Sequence, residues 1–544
     1  MQLSALAKRL VILLFVVTII FYFYGLGHLP FVGPDEPRYA QVAREMFLRG
    51  DLVTPTLAGH TWFEKPALLY WMMIAAYAAF GVNEFAARIG PAVCGLLTVL
   101  AVWVLTREFE RAESDKLKGL STWSALVSAT SLGLIVFSRG ATFDVVVTMP
   151  VTWALVCFLL HERAIPRSTR RLLLFGFFGA MGVALLAKGL VGLVIPLGVI
   201  TFYYLFTRQK PSREFLRSIF WGLPITLLVA ALWYGPVISR HGWAFINEFF
   251  VQHHFARFVS NKYRHHQRFY FYVPVLLMLA APWSAIFIDA IAHLRFSKRS
   301  DAAPHERLIW FAVSWIVFPL AFFSMSGSKL PAYILPVLPA VAVLTADRIR
   351  RLASNDETSW SVIATGVIAI LLAAGGLAYA VLSGTLTLAR GFIITAPLLI
   401  AGLGAVLFRR KTTTALLSVA FGTVLSLIAI VWLGAFQVAQ RQSVRDLIAV
   451  ADQRGLSSAP IFIRRGSDRT AEFYASGRVV YGNDGEPKRL EDSTEIMDEA
   501  KRRGETILVL MPVEHLDEYR RLPEVEIVVD NGNLALIAVK SDKH

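Results

Sequence analysis

A chain of 544 residues that is 56% hydrophobic and only 17% charged, with a mean hydropathy of +0.55, is too apolar to be a soluble globular protein. Its 38 Phe and 13 Trp exclude disorder, because that much apolar surface must be buried or must face lipid. A net charge of +15 would point to nucleic acid in a soluble protein, so the location of the charges decides what they mean.

A membrane-spanning helix needs about 20 predominantly apolar residues. Runs of that kind are predicted near 9–28, 86–106, 120–137, 145–161, 172–187, 189–207, 219–239, 271–293, 308–325, 331–346, 359–384, 391–408 and 413–437, thirteen in all. The first reads as a retained span, since its apolar run exceeds a signal-peptide core and no small-residue cleavage site follows. Cys94 and Cys157 both lie in apolar runs, so neither a disulfide framework nor a cysteine metal site is expected. Residues 67–80 are apolar but short for a span, and are read as a helix along the membrane surface. With that assignment the loops holding Arg107/Arg111, Arg163/Arg167, Arg208/Lys210, Arg295/Lys298, Arg348/Arg350 and Arg409/Arg410 all share the side of Lys8 and Arg9. Positive charge marks that side as cytoplasmic, with the N-terminus.

An odd number of spans places the chain from about Gln440 on the opposite side. Short β-rich runs at 460–463, 507–511, 525–529 and 534–539 alternate there with helix-like stretches such as 493–503. The expected fold class is a mainly α, polytopic membrane protein with a small C-terminal α/β soluble domain. The expected domains are 1–439, with long outward loops 29–85 and 240–270, and 440–544.

Long ordered loops usually carry function. The first holds Pro34-Asp35-Glu36-Pro37-Arg38-Tyr39, then Ala40, Ala43 and Phe47 at helical spacing. Pro37 at a helix start, with acids at and before it, predicts a cap at Asp35, and such a helix N-terminus is also an anion site. Glu64-Lys65-Pro66 leads into the surface helix, where snorkelling would account for both charges. The second loop gathers His241, His253, His254, His265, His266, Arg257, Lys262, Arg264 and Arg268 among aromatics. Outward basic residues run against the orienting trend, so either a bound anion or lipid headgroups must balance them. Two short outward turns add Arg139 with Asp144, and Ser328-Lys329-Leu330-Pro331-Ala332-Tyr333. Ionisable residues at a membrane edge are functional candidates, although a mutual Arg139–Asp144 pair would also account for them. Lys188, at another outward turn, is explained by snorkelling alone.

These motifs together resemble the GT-C superfamily of polyprenyl-phosphate-sugar-dependent glycosyltransferases. Within it the chain is most similar to the bacterial lipid A aminoarabinose transferases, relatives of the protein O-mannosyltransferases. The resemblance runs over the whole chain and is most specific at 35–39, 64–66, 139–144 and 328–333. It implies a GT-C fold in the bacterial inner membrane, with the active site and C-terminal domain periplasmic. It also implies an undecaprenyl phosphate donor bearing 4-amino-4-deoxy-L-arabinose, a lipid A phosphate acceptor, and resistance to polymyxin-like cationic peptides. Membrane lipid is the surrounding partner, no nucleic acid is expected, and the protein is expected to be a monomer.

On that resemblance Asp35, Glu36 and Asp144 are the catalytic candidates, and Arg38, Lys65, Arg257 and Lys329 the donor-phosphate ligands. Positioned cations are the groups that stabilise charge developing on a leaving phosphate. Tyr39, Arg139 and Tyr333 are further substrate contacts, and Glu64 with His265 and His266 has ligand types suited to a divalent metal such as zinc, no other cofactor being required. Asp35 stays open between a base, an orienting group and a holder of the donor's ammonium. A hydroxyl acceptor on protein or another glycan would demand a base, whereas a phosphate acceptor is already ionised. A transporter or flippase would instead place charge and broken helices at mid-membrane.

Overall fold

The computed structural model describes residues 5–163, 166–256, 267–294, 304–355, 359–464, 469–482 and 485–540. Helix occupies every one of the thirteen apolar runs. Among the described residues nine helices are long and apolar enough to cross a membrane, or eleven if each of two bent pairs is a single span. The other two runs are Ala5–Phe23 and the 17-residue helix Val191–Thr207. Leu68–Phe80 is a helix of 13 residues, and at about 1.5 Å per residue it is shorter than a roughly 30 Å hydrocarbon layer.

The chain forms two compact units. The first comprises Met1–Tyr24, Phe63–Leu69 and Arg88–Ala429. Its bent spans are Leu120–Thr130 with Leu132–Ser138, at 56°, and Phe269–Leu279 with Ser284–Ala292, at 118°. A bend frees backbone groups that lipid cannot satisfy, so it must be repaired from within the protein. Each break repairs the other. The Leu132 amide donates to the Ala281 carbonyl at 2.8 Å, and the Trp283 indole donates to Thr130 Oγ1 at 3.0 Å. At the helix ends expected to face the cytoplasm, Asp289 is fully buried and accepts from Arg348 (2.9 and 3.2 Å), Ser359 (3.1 Å) and Ser361 (2.6 Å). That carboxylate ties Ser284–Ala292 to Leu338–Asn355 and Trp360–Leu382. At the other end Gly95 lets helix Glu84–Ala112 approach closely, since a Cβ there would collide with Ser138 and the Tyr22 ring.

The second unit comprises Gly25–Trp62, Tyr70–Ala87 and Ile430–His544. Its strands are β1 (Thr56–Leu57) and β2 (His60–Thr61), which form a small hairpin, then β3 (Ile461–Arg464), β4 (Arg489–Leu490), β5 (Ile507–Pro512), β6 (Val525–Asp530) and β7 (Leu534–Val539). The last five form one sheet in the order β4-β3-β5-β7-β6, with β3 parallel to β4 and β5, and β7 antiparallel to β5 and β6. Successive strand residues point to opposite faces. Ile461, Ile463, Leu508, Leu510 and Leu536 therefore pack beneath Arg445–Gln453, while Phe462, Val509 and Ile537 pack with Ser493–Arg503 on the other face. Burial on both faces explains why these strands read as continuous apolar runs rather than alternating ones. The four strand runs read from sequence are all present, and the two-residue strands β1, β2 and β4 are additions.

Candidate functional site

In the first unit, helices Phe143–His161 and Arg167–Lys188 are sequential neighbours running in opposite directions. Asp144 sits in the first turn of one and Lys188 in the last turn of the other. An acid at a helix N-terminus and a cation at a C-terminus are each favoured by the backbone dipoles. The two side chains form an ion pair, both about one-sixth exposed, and Lys188 Nζ lies 4.9 Å from the centre of the Tyr333 ring. Tyr333 is fixed in turn against Phe323, with ring centroids 5.5 Å apart.

Tyr333 belongs to the turn that also holds Lys329. Lys329 is 6% exposed, and its Nζ donates to the Ser326 carbonyl at 2.7 Å. Among the described residues no carboxylate pairs with it. The neighbouring Ser328 Oγ is buried without a hydrogen-bond partner among the described residues. A buried ammonium facing only a carbonyl dipole, beside an unused hydroxyl, is suited to receive an anion.

Two further groups belong to this unit. The Arg139 guanidinium donates to the carbonyls of Phe21 and Tyr24 and stacks on the Phe21 ring at 4.3 Å. Burial, with the nearby Arg88 charge, pushes its pKa down to about 10. Lys65 Nζ meets Glu64 Oε1 at 2.6 Å, with both side chains largely covered. Phe63, next to them, is held from two sides. Its amide donates to Glu248 at 3.4 Å, and its ring packs edge-on against Phe245 and His241.

In the second unit, helix Asp35–Arg49 starts with the acids in its first turn. Arg38 donates from Nη2 to Asp35 Oδ1 at 2.9 Å and from Nε to the Pro34 carbonyl at 2.7 Å, and it stacks over the Trp62 ring at 5.4 Å. Tyr39 is buried and Glu36 half-buried on the same helix. Glu45, further along, accepts from Thr56 Oγ1 at 2.6 Å and from the amides of Ala58 and Gly59, which shapes the β1–β2 hairpin. Arg44 ties the helix to the C-terminal part of the unit through the Phe473 carbonyl at 3.2 Å and Ser476 Oγ at 3.1 Å.

Residues 8–245 match the family model described as dolichyl-phosphate-mannose-protein mannosyltransferase. The chain is 34% identical over 345 residues to the undecaprenyl phosphate-alpha-4-amino-4-deoxy-L-arabinose arabinosyl transferase of Pseudomonas paraeruginosa, covering 62% of this chain and 59% of that protein. It is 33% identical over 333 residues to the enzyme of the same name from Aeromonas salmonicida, covering 60% and 58%. The chain thus spans about six-tenths of the length of the curated relatives it matches. The crystal structure of ArnT from Cupriavidus metallidurans bound to undecaprenyl phosphate superposes with a TM-score of 0.79, at 25% identity and over 98% of both chains. The chain has the ArnT-like GT-C fold.

Within this GT-C fold, Glu64, Lys65, Arg139, Asp144, Lys329 and Tyr333 lie in the first unit, and Asp35, Glu36, Arg38 and Tyr39 in the second. Three local expectations change. Arg139 does not pair with Asp144: its Nη1 donates to the Phe21 and Tyr24 carbonyls, and Lys188 takes the carboxylate. Asp35 does not cap its helix, because its carboxylate is turned to Arg38 and the cap position, Pro34, makes no side-chain cap bond. Lys188 does more than snorkel, because it pairs with Asp144 and lies against the Tyr333 ring, which adds it to the candidate residues. The signal was an acid and a base at the dipole-matched ends of consecutive helices. Arg257, His265 and His266 lie outside the described residues. Among the described residues no group of three His, Cys, Asp or Glu is arranged to hold a metal ion, and Glu64 is engaged by Lys65.

Proposed function

We propose that this protein transfers 4-amino-4-deoxy-L-arabinose from undecaprenyl phosphate to a phosphate of lipid A at the periplasmic face of the bacterial inner membrane. Such a reaction breaks the bond between the sugar's anomeric carbon and the carrier phosphate oxygen. An acceptor phosphate oxygen forms the new bond at that carbon. The electron pair of the broken bond stays on the carrier, so a phosphodiester becomes a monoester and gains about one negative charge. A cation waiting where that charge appears lowers the barrier. Lys329 is the observation that carries the reading, because it is a buried ammonium with no carboxylate partner among the described residues. Lys65 and Arg38 are already paired with carboxylates, and in this reading they orient the phosphates as balanced ion pairs.

An ionised phosphate needs no proton removed before it attacks. The Asp144 carboxylate, held by Lys188, is accordingly assigned to placing that lysine over Tyr333 rather than to accepting a proton. Asp35 is more than half exposed beside Arg38 and is assigned to the donor's ammonium. Mass spectrometry of lipid A from cells with and without the intact gene tests the reading. Aminoarabinose-bearing lipid A that depends on the gene supports it, and identical lipid A spectra from the two strains overturn it.

A further inference from the structure

The proposed transfer chemistry gives the C-terminal sheet no part, yet three consecutive residues of its short helix Thr470–Tyr474 reach the segment that carries Asp35 and Arg38. Both belong to the second unit. Residues 30–32 have no regular secondary structure, and helix Asp35–Arg49 starts without a side-chain cap bond. Local capping therefore does not fix where this helix begins. Holding such a start still costs conformational entropy, which contacts from elsewhere must offset.

Tyr474 makes the first contact. Its hydroxyl accepts from the Phe31 amide at 2.8 Å, three residues before Pro34, and donates to Glu84 Oε1 at 2.8 Å. Arg445 holds Glu84 in turn, at 3.4 Å. Phe473 makes the second contact. The fully buried Phe31 ring packs edge-on against the Phe473 ring, with centroids 4.9 Å apart. The Phe473 carbonyl accepts from Arg44 at 3.2 Å, and the Arg44 guanidinium lies 5.9 Å over the Phe473 ring. Residues 31 and 44 bracket the turn Asp35–Arg38, so both of its sides are tied to one short helix. Glu472 makes the third contact, and it is electrostatic. The residue is 2% exposed, its Oε1 accepts from Arg469 at 2.7 Å, and its Oε2 makes no hydrogen bond among the described residues. Burial raises the pKa of this carboxyl, while the charges of Arg469 and then Arg38 oppose the rise, which places Arg38 within electrostatic reach of it. The Arg38 guanidinium is thus bonded to Asp35, stacked on Trp62, and drawn by a buried carboxyl of the C-terminal part.

We propose that Glu472, Phe473 and Tyr474 form a positioning element of the donor site, in which Tyr474 fixes the start of the turn Asp35–Arg38 and Glu472 sets the aim of the Arg38 guanidinium. The C-terminal sheet then acts in transfer through Arg38 without touching substrate. A misplacement of about 1 Å at a reacting centre costs on the order of 100-fold in rate, so a clamp on this turn is felt in the chemistry. The proposal rests on the role given to Arg38 above, while the tie between the two segments stands without it.

The test uses the full-length protein in detergent and two variants that each remove one polar function, Tyr474→Phe and Glu472→Gln. Hydrogen exchange reads the tie, and single-turnover transfer from undecaprenyl phosphate-linked aminoarabinose to lipid A, at subsaturating donor, reads its consequence. Tyr474→Phe should speed amide exchange over residues 31–44 at least tenfold and leave helix Phe143–His161 of the first unit unchanged. Each variant should slow transfer at least tenfold with the acceptor KM within twofold of wild type, and Glu472→Asp, which restores the charge, should recover part of the loss. In an Arg38→Gln background each variant should cost less than threefold more, because the residue it acts through is gone. If the tyrosine variant does not fold, the Glu472→Gln cycle decides alone. Transfer within threefold of wild type in the folded variants, losses that add fully to that of Arg38→Gln, or unchanged exchange over 31–44 in Tyr474→Phe overturns the proposal. Faster exchange over 31–44 in Tyr474→Phe, together with a wild-type protein that transfers no aminoarabinose, would sink the functional reading alone.

Discussion

Replacing Lys329 by methionine separates a cation kept for a ligand from one kept for the fold. Methionine preserves an unbranched stem and removes only the ammonium. In the wild-type protein Lys329 is 6% exposed and its ammonium donates to the Ser326 carbonyl at 2.7 Å. Taking a charge out of water costs on the order of several kcal/mol unless a counter-charge repays it. One neutral carbonyl repays part of that, so the variant without ligand should be at least as stable as wild type. Transfer should move the other way. Loss of a single preorganised donor to a developing oxyanion costs about 100- to 1,000-fold in kcat, or roughly 3–4 kcal/mol of transition-state stabilisation. The assays are thermal unfolding of the purified protein with and without undecaprenyl phosphate, and single-turnover transfer. Wild type should gain thermal stability from the lipid phosphate, and Lys329→Met should lose most of that gain. A variant that unfolds several degrees earlier without ligand, or that transfers within threefold of wild type, would refute the reasoning.

The Asp144–Lys188 pair should behave as one device, so Asp144→Asn and Lys188→Met should each lower transfer at least tenfold, and the double variant should do little worse than either alone; additive losses in that cycle would contradict the coupling. Because Asp144 is assigned to positioning, its Asn variant should keep the shape of the wild-type pH–rate profile rather than lose an ionisation. In the C-terminal sheet unit, Arg502, Lys488 and Arg503 hold the Glu499 carboxyl down to about 2. Its folded pKa lies below the unfolded value of about 4.3, so its contribution is present above that value and fades as pH falls towards 2. Glu499→Gln should therefore destabilise the unit at neutral pH by on the order of 1 kcal/mol, given how exposed Arg502 is, and the difference should vanish in acid unfolding near pH 2. A cysteine introduced near Arg167 should be protected from an impermeant thiol reagent in spheroplasts and one within 445–540 should react, whereas labelling at both positions would contradict the thirteen-span topology.

The parts of this fold legible from sequence are those set by composition over long windows. Each apolar run became helix, and the C-terminal strands could be located because two-sided burial leaves them uninterrupted, as in β5 and β7. Turn residues were legible for the same reason, since charges between two apolar runs have to lie at helix ends. Partner choice was not legible. Arg139 and Asp144 are five residues apart in the chain, yet the partner of Asp144 is 44 residues away on the next helix. Which side chains meet there depends on helix rotation, and these helices are too uniformly apolar for periodicity to reveal it. Asp35 was misread because Arg38, one turn later, competes for the carboxylate that would otherwise have turned to the backbone. The union of residues 25–62 with the C-terminal sheet in one unit was equally invisible, because it rests on contacts between residues more than 400 positions apart, such as Arg44 to the Phe473 carbonyl.

In the proposed reaction a sugar passes from a lipid phosphate to a phosphate acceptor, served by buried cations and by no proton-accepting carboxylate. Reconstitution of the purified protein with undecaprenyl phosphate-linked aminoarabinose and lipid A, followed by phosphorus NMR of the products, tests it most directly. The expected result is conversion of a lipid A phosphomonoester into a phosphodiester with stoichiometric release of undecaprenyl phosphate, slowed about 100- to 1,000-fold by Lys329→Met and retained at unchanged pH dependence, though slowed, by Asp144→Asn. Sugar appearing on a hydroxyl while every lipid A phosphate remains a monoester would contradict it.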